Sequence, residues 1–283
     1  MLKAPLNLKK ARILISNDDG IHAPGLKVLE KVARALCDDV WVVAPESDNS
    51  GASHSFTVRR PLSVHRLGPQ RFAVAGTPTD CALVAINHLM TDRKPDLVLS
   101  GVNRGANQGE DVIYSGTVAV AMEAAMMNIP AIAMSQVRHG NNIPWQTAET
   151  FGETVVRRLT SVDWPAGVLM NVNFPCVAPD QVKGIDVGGQ GRRVSDLQVV
   201  AGKDPFDRDV LWIGDFPDDE TEGEDTDLAI TAADKIAVTP LHFDLTHRVT
   251  AKRLEAVMGP LKVKAPAKAK TPAKAKSPRR KTR

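Results

Sequence analysis

The sequence predicts an α/β fold in which a doubly wound, mostly parallel sheet carries helices on both faces. Three observations support this. Short apolar runs alternate with helical patterns as far as residue 172. The runs are apolar throughout, as strands covered on both faces require. Polar, glycine-rich stretches follow the runs, which puts candidate ligand loops at the carboxyl ends of strands.

Residues 12–16 (RILIS) form the first expected strand and run into the turn Asn17-Asp18-Asp19-Gly20. The spacing of Leu26, Leu29, Val32, Ala33 and Leu36 predicts a helix over 24–36, with Pro24 suited to its first turn. Residues 40–44 (VWVVA) read as a second buried strand stopped by Pro45. Strands are then expected at 71–75, 96–100, 131–135 and 168–172, and helices at 78–90, 117–128 and 148–159. After Pro175 the alternation weakens. Residues 185–187, 210–213 and 235–239 read as strands of an antiparallel or extended subregion, and 246–257 as a helix. Residues 215–227 hold eight acids in thirteen positions and read as a solvated loop.

The formal charge of +3 conceals an asymmetry. Residues 262–283 contain ten Lys and Arg and no acid, which leaves 26 basic residues against 33 acidic ones elsewhere, a net −7. This Lys/Ala/Pro segment lacks large apolar residues and is expected to be a disordered tail. The organisation predicted is one α/β domain over 1–261, with an extended subregion from about 176 to 261, to which the resemblance described below assigns oligomerisation, followed by the tail at 262–283. No run is long enough to span a membrane, and Met1 to Lys10 does not read as a secretory signal. Three widely spaced cysteines, Cys37, Cys81 and Cys176, argue against a disulfide framework and for a reducing, cytoplasmic setting.

Four loops carry candidate chemistry. Asp18 and Asp19 are adjacent carboxylates at a strand end. They fit either a solvated Asp-Gly turn or a site for a hard divalent cation. Phosphatases that use a nucleophilic aspartate place two Asp residues two apart, a spacing absent here. Residues 45–57 are crowded with short polar side chains around Gly51. They read as a plain polar loop or as a ligand loop, and His54 as structural or catalytic. Thr77 and Asp80 near a helix start fit capping or substrate contact. Residues 100–117 contain Gly101, Gly105, Gly109 and Gly116, with Asn103 as an uncharged oxygen donor. Ser115-Gly116-Thr117 opens a helix whose free N–H groups favour a phosphate. No Gly-Lys-Ser/Thr phosphate loop is present.

The strings ILISNDDGIHAPGL, VVAPESDNSGASHSFT, GTPTDCALVAINHL, PDLVLSGVNRGANQGEDVIYSGTVAVAMEAA and VTPLHFDLT occur in this order. Together they resemble the stationary-phase survival protein SurE family over about residues 12–246. The resemblance implies a Rossmann-like three-layer α/β/α sandwich, and a homodimer or homotetramer that exchanges C-terminal hairpin and helix elements between subunits. It implies a metal-dependent phosphatase acting on nucleoside 5′- and 3′-monophosphates, with short polyphosphate as a further substrate. It assigns one divalent cation per subunit, Mg²⁺ or Mn²⁺, to Asp18, Asp19, Ser50 and Asn103. Asp18, Asp19 and Asn103 are the catalytic candidates. Asn17, Gly51, His54, Ser115, Gly116 and Thr117 are the candidates for phosphate or substrate contact. One departure stands out: the family's usual Asp-Arg-Asn-Arg-Ser-Gly is Glu46-Ser47-Asp48-Asn49-Ser50-Gly51 here, with two cations fewer and one acid more.

Two other classes of function fit parts of the chain. One is a nucleotide-binding module without turnover. The other is weak, sequence-blind nucleic-acid binding through the basic tail.

Overall fold

A computed structural model describes residues 2–193, 198–214 and 221–259. The basic tail predicted at 262–283 lies outside the described residues, as does part of the acidic run, 215–220. The chain divides into two compact units, Met1–Asp244 and Leu245–Arg283. Among the described residues no helix is long and apolar enough to cross a membrane.

The strands are β1 (Arg12–Ser16), β2 (Asp39–Pro45), β3 (Val64–Gly68), β4 (Arg71–Val74), β5 (Leu97–Arg104), β6 (Ala131–Gln136), β7 (Val168–Phe174), β8 (Gly184–Val187), β9 (Arg192–Arg193), β10 (Val199–Lys203), β11 (Asp209–Ile213), β12 (Thr221–Glu222) and β13 (Lys235–His242). The helices are α1 (Pro24–Leu36), α2 (Pro78–Val84), α3 (Asp111–Tyr114), α4 (Gly116–Met126), α5 (Trp145–Leu159), α6 (Asp227–Ala232) and, in the second unit, α7 (Arg248–Glu255). A π-helical turn, Ala85–Leu89, continues α2.

Nine strands form one sheet in the order β3-β4-β2-β1-β5-β6-β7-β13-β8. The core from β4 to β7 is parallel. From β1 the chain winds outward through β2 and β4, then returns to the other side of β1 and winds through β5, β6 and β7. The winding therefore reverses between β1 and β5, and the crevice at their carboxyl ends is where such a sheet binds ligands.

Side-chain alternation builds the two layers. Ile13 and Ile15 of β1 pack into a core with α1, α5, Trp164 and Phe174. Leu14 faces the opposite core with α2, α4, Val43 and Ile86. Helix α1 buries Leu26, Leu29, Val32, Ala33 and Leu36, and Pro24 sits in its first turn, as the spacing requires. Helix α4 is apolar nearly all round and buries Val118, Ala119, Val120, Ala121, Ala124 and Ala125, so it lies inside the second layer.

The structure corrects the sequence reading in three places. Strand β5 runs past Ser100 to Arg104, with an irregular register between Ser100 and Asn103. Strands β8 and β13 join the main sheet: β13 runs antiparallel to β7 and parallel to β8. Outside it, β10 and β11 make a separate antiparallel ribbon of the kind expected, and β9 pairs antiparallel with β12. The acidic run does not end as a solvated loop, because Asp227 is fully buried and starts α6.

Candidate active site

The loop after β1 and the end of β5 meet at the switch point. Asp18 is buried and Asp19 is half-buried. The Thr117 hydroxyl on α4 donates to Asp18 Oδ1 at 2.5 Å and lies 3.5 Å from Asn103 Oδ1. The Arg104 backbone N–H donates to Asp19 Oδ2 at 3.2 Å. The Asn103 amide donates to the Gly105 carbonyl at 3.0 Å, which aims its oxygen toward the carboxylates' side. Asp18, Asp19, Asn103 and Thr117, far apart in sequence, are thus brought together.

Two glycines make this approach possible. Gly101 adopts φ +125° where β5 turns irregular, and a Cβ there would lie 2.2 Å from the Met134 carbonyl oxygen. At Gly116 a Cβ would lie 2.8 Å from the Asp18 Cβ, so only glycine lets the start of α4 close on the carboxylate. Ser115 caps that helix by accepting the Val118 N–H at 3.0 Å.

The loop after β2 packs against the same place. The Asn49 N–H donates to the Asp18 carbonyl at 2.8 Å. Both the N–H and the hydroxyl of Ser50 donate to Asp48 Oδ1, at 2.8 and 2.6 Å. Gly51 stands open at the loop tip. His54 pairs with Glu123 at 3.0 Å, about two turns along α4 from Gly116, and makes no hydrogen bond to Asp18, Asp19 or Asn103. Asn17 donates to the Gly20 carbonyl at 3.1 Å, while its own amide oxygen is buried without a partner. Thr77 and Asp80 form a capping box at α2, and Asp80 also holds Thr57, so this pair is structural.

Burial raises the Asp18 carboxyl above its ordinary range, partly offset by the Thr117 hydroxyl. Burial, and then the charge of Asp18, pushes Asp19 from 3.8 up to about 7. Asp48, the additional acid noted before Ser50 in the sequence, adds to both shifts. Among the described residues neither Asp18 nor Asp19 has a Lys or Arg ion-pair partner, and no three His, Cys, Asp or Glu cluster as metal ligands. The donors that converge are oxygens of two crowded carboxylates and an amide, with the Ser50 hydroxyl on the adjoining loop. That set fits a hard divalent cation better than a soft one.

Comparison with known proteins follows the same lines. The family model described as "Survival protein SurE" matches residues 13–196. The "5'-nucleotidase SurE" of Paramagnetospirillum magneticum is 51% identical over 245 residues, 86% of this chain and 94% of that protein. The protein of the same name from Caulobacter vibrioides is 50% identical over 262 residues, 90% of this chain and 100% of its own. The crystal structure of the SurE protein from Aquifex aeolicus superposes with a TM-score of 0.75 at 34% identity, covering 87% of this chain and 99% of that one.

Proposed function

This chain belongs to the survival protein SurE family, and on that premise we propose that it is a 5′-nucleotidase that releases phosphate from nucleoside 5′-monophosphates in a metal-dependent reaction. The observation that carries the reading is the convergence of Asp18, Asp19 and Asn103 with Thr117 of α4 at the switch point.

Asp18, Asp19, Ser50 and Asn103 hold one Mg²⁺ or Mn²⁺. When bound, such a cation supplies Lewis-acid polarisation of the phosphoryl group and offsets its charge. The rest falls to the chain's own groups. The backbone N–H groups at Ser115, Gly116 and Thr117, with the α4 dipole behind them, receive phosphoryl oxygens. Thr117 keeps Asp18 oriented through its hydroxyl. Asp19, less committed than Asp18, takes the proton of the attacking water. Asn17 and Gly51 border the space for the substrate, and His54, tied to Glu123, has a supporting role only.

The same centre accepts 3′-monophosphates. Short polyphosphate is disfavoured by Asp48 and Glu46 beside the site, where added negative charge meets acid. A phosphate-release screen of AMP, GMP, 3′-AMP and tripolyphosphate with Mg²⁺ or Mn²⁺ tests the reading. Release from the 5′-nucleotides that stops in excess chelator is the expected result. No release with either metal, or release unaffected by chelator, overturns it.

The protein works as a homodimer or homotetramer in the cytoplasm, a setting that suits three cysteines too widely spaced in sequence to read as a disulfide framework. The β10–β11 ribbon supports association: Leu211, Trp212 and Ile213 are 71, 67 and 76% exposed, an apolar strip that calls for cover. Light scattering is expected to show an oligomer that Trp212→Glu weakens. A wild-type monomer at micromolar concentration would refute this part of the reading.

A further inference from the structure

We propose that a cavity beside the metal and phosphate site takes the nucleoside part of the substrate, with Arg60 as the side chain that selects for it. This rests on the nucleotidase reading and names where the rest of the nucleotide lies. The cavity has a volume of about 340 Å³ and is lined by Glu46, Ser47, Asn49, Thr57, Arg60 and Thr77, with the backbone at the end of β4. That volume is within the range of roughly 300–1,000 Å³ typical of small-ligand sites.

Position is the first argument. The cavity lies at the carboxyl ends of β2 and β4, along the same edge of the sheet as the switch point. Its wall residue Asn49 is one backbone hydrogen bond, 2.8 Å, from the Asp18 carbonyl. The cavity is therefore bordered by the same loop that packs on the backbone of Asp18.

Chemistry is the second. Part of the wall is fixed: the Thr57 N–H and hydroxyl donate to Asp80 at 2.8 and 2.7 Å, and the Thr77 N–H donates to Asp80 at 2.9 Å. Glu46 is paired with His65 at 3.0 Å. Three lining groups are uncommitted among the described residues: the Ser47 hydroxyl, the Asn49 amide oxygen and the Arg60 guanidinium. The hydroxyl and the amide oxygen suit ribose hydroxyls. The guanidinium is planar and suits a base, by stacking on its face or by donating to ring nitrogens and carbonyl oxygens. A wall held rigid by Asp80 with a few free polar groups is the form that a sugar and base require.

The test compares AMP and GMP with phenyl phosphate, which has neither sugar nor purine, using the full-length chain with Mn²⁺. Arg60 is exposed, so Arg60→Ala leaves the fold intact. The expected result is a KM for the nucleotides raised roughly tenfold, the loss of about one good contact, with kcat and all phenyl phosphate kinetics near wild type. Arg60→Lys, which keeps the charge but not the plane, is expected to restore less than half of the effect on a logarithmic scale. Equal changes for nucleotides and phenyl phosphate, or none, would overturn the cavity assignment. Absence of release from every substrate by the wild type would instead sink the nucleotidase reading beneath it.

Discussion

Asp19→Asn is expected to lower phosphate release by roughly a thousandfold, equivalent to about 4 kcal/mol of lost transition-state stabilisation, while making the metal-free protein more stable. The two effects share one cause. Asp19 is half-buried beside Asp18 and Asp48, with no basic side chain paired to it among the described residues, and its carboxyl holds its proton up to about 7 instead of 3.8. In the unfolded chain it ionises near its ordinary value. Below that value both states are protonated and the crowding costs nothing. As pH rises toward 7, the unfolded state gains by ionising while the folded one does not, so the metal-free protein loses stability across that interval. Asparagine removes the titrating group. Thermal unfolding of chelator-treated protein should show no difference between Asp19→Asn and wild type at pH 4, and a gain for the variant on the order of 2 kcal/mol at pH 8. Added Mn²⁺ should raise the wild-type Tm and leave the variant's unchanged, since a cation binding only the folded state stabilises it by mass action. A variant that keeps wild-type turnover would remove Asp19 from the chemistry. One that is less stable than wild type at pH 8 without metal would show that the carboxylate is not held against its preference.

Asp227→Ala is expected to destabilise the fold by about 3–5 kcal/mol, because it strands three backbone N–H groups in the interior. Fully buried Asp227 accepts the N–H of Gly109 at 3.0 Å, of Gly191 at 2.8 Å and of Leu228 at 2.9 Å. Its carbonyl accepts the Gln108 amide at 2.7 Å. Burial raises its carboxyl, and the three N–H groups oppose the rise. Two of the residues it holds, Gln108 and Gly109, lie midway between Asn103 and Thr117, the two ends of the segment that enters the site. Neighbouring anchors do the same work: the Asn107 N–H donates to Asn173 at 2.9 Å, and Arg193 pairs with Asp111 at 2.7 Å. Urea unfolding should give a lower midpoint for Asp227→Ala, with phosphate release falling as well because the segment loosens. Asp227→Asn keeps one acceptor oxygen but turns an N–H toward another N–H, so it should recover less than half of the loss. A midpoint equivalent to within about 1 kcal/mol of wild type would show that these N–H groups find other partners.

Much of the fold could be read from the sequence where one physical signal dominated. Helix α1 was found at its observed ends because Pro24 and five buried apolar residues point the same way. The central strands were found because β1, β2 and β6 are apolar and buried. Strand β3 was missed because its side chains face solvent and its polar residues leave no continuous apolar run, and β10 because its apolar start, Val199 to Ala201, is short and soon broken by Gly202. The end of β5 was hidden by the irregular register between Ser100 and Asn103, which looks like a loop in the sequence. Helix α6 was lost among acids. Its one signal was Thr226, which caps it by accepting the Ala229 N–H at 3.3 Å. The carboxylate pair was visible as a pair, and its assignment to a cation came from the family resemblance rather than from the two residues alone. Adjacent acids at a strand end fit a turn as well as a site. The structure adds the Thr117 hydroxyl on Asp18, a contact across 99 residues that no local pattern carries.

The most direct test of the central claim, that Asp18 and Asp19 hold a divalent cation, is an anomalous difference map at the manganese edge from crystals grown with Mn²⁺. One peak per chain is predicted, within coordination distance of Asp18, Asp19, Ser50 and Asn103 oxygens. A map with no peak there at saturating Mn²⁺, or with its strongest peak at other residues, would contradict it.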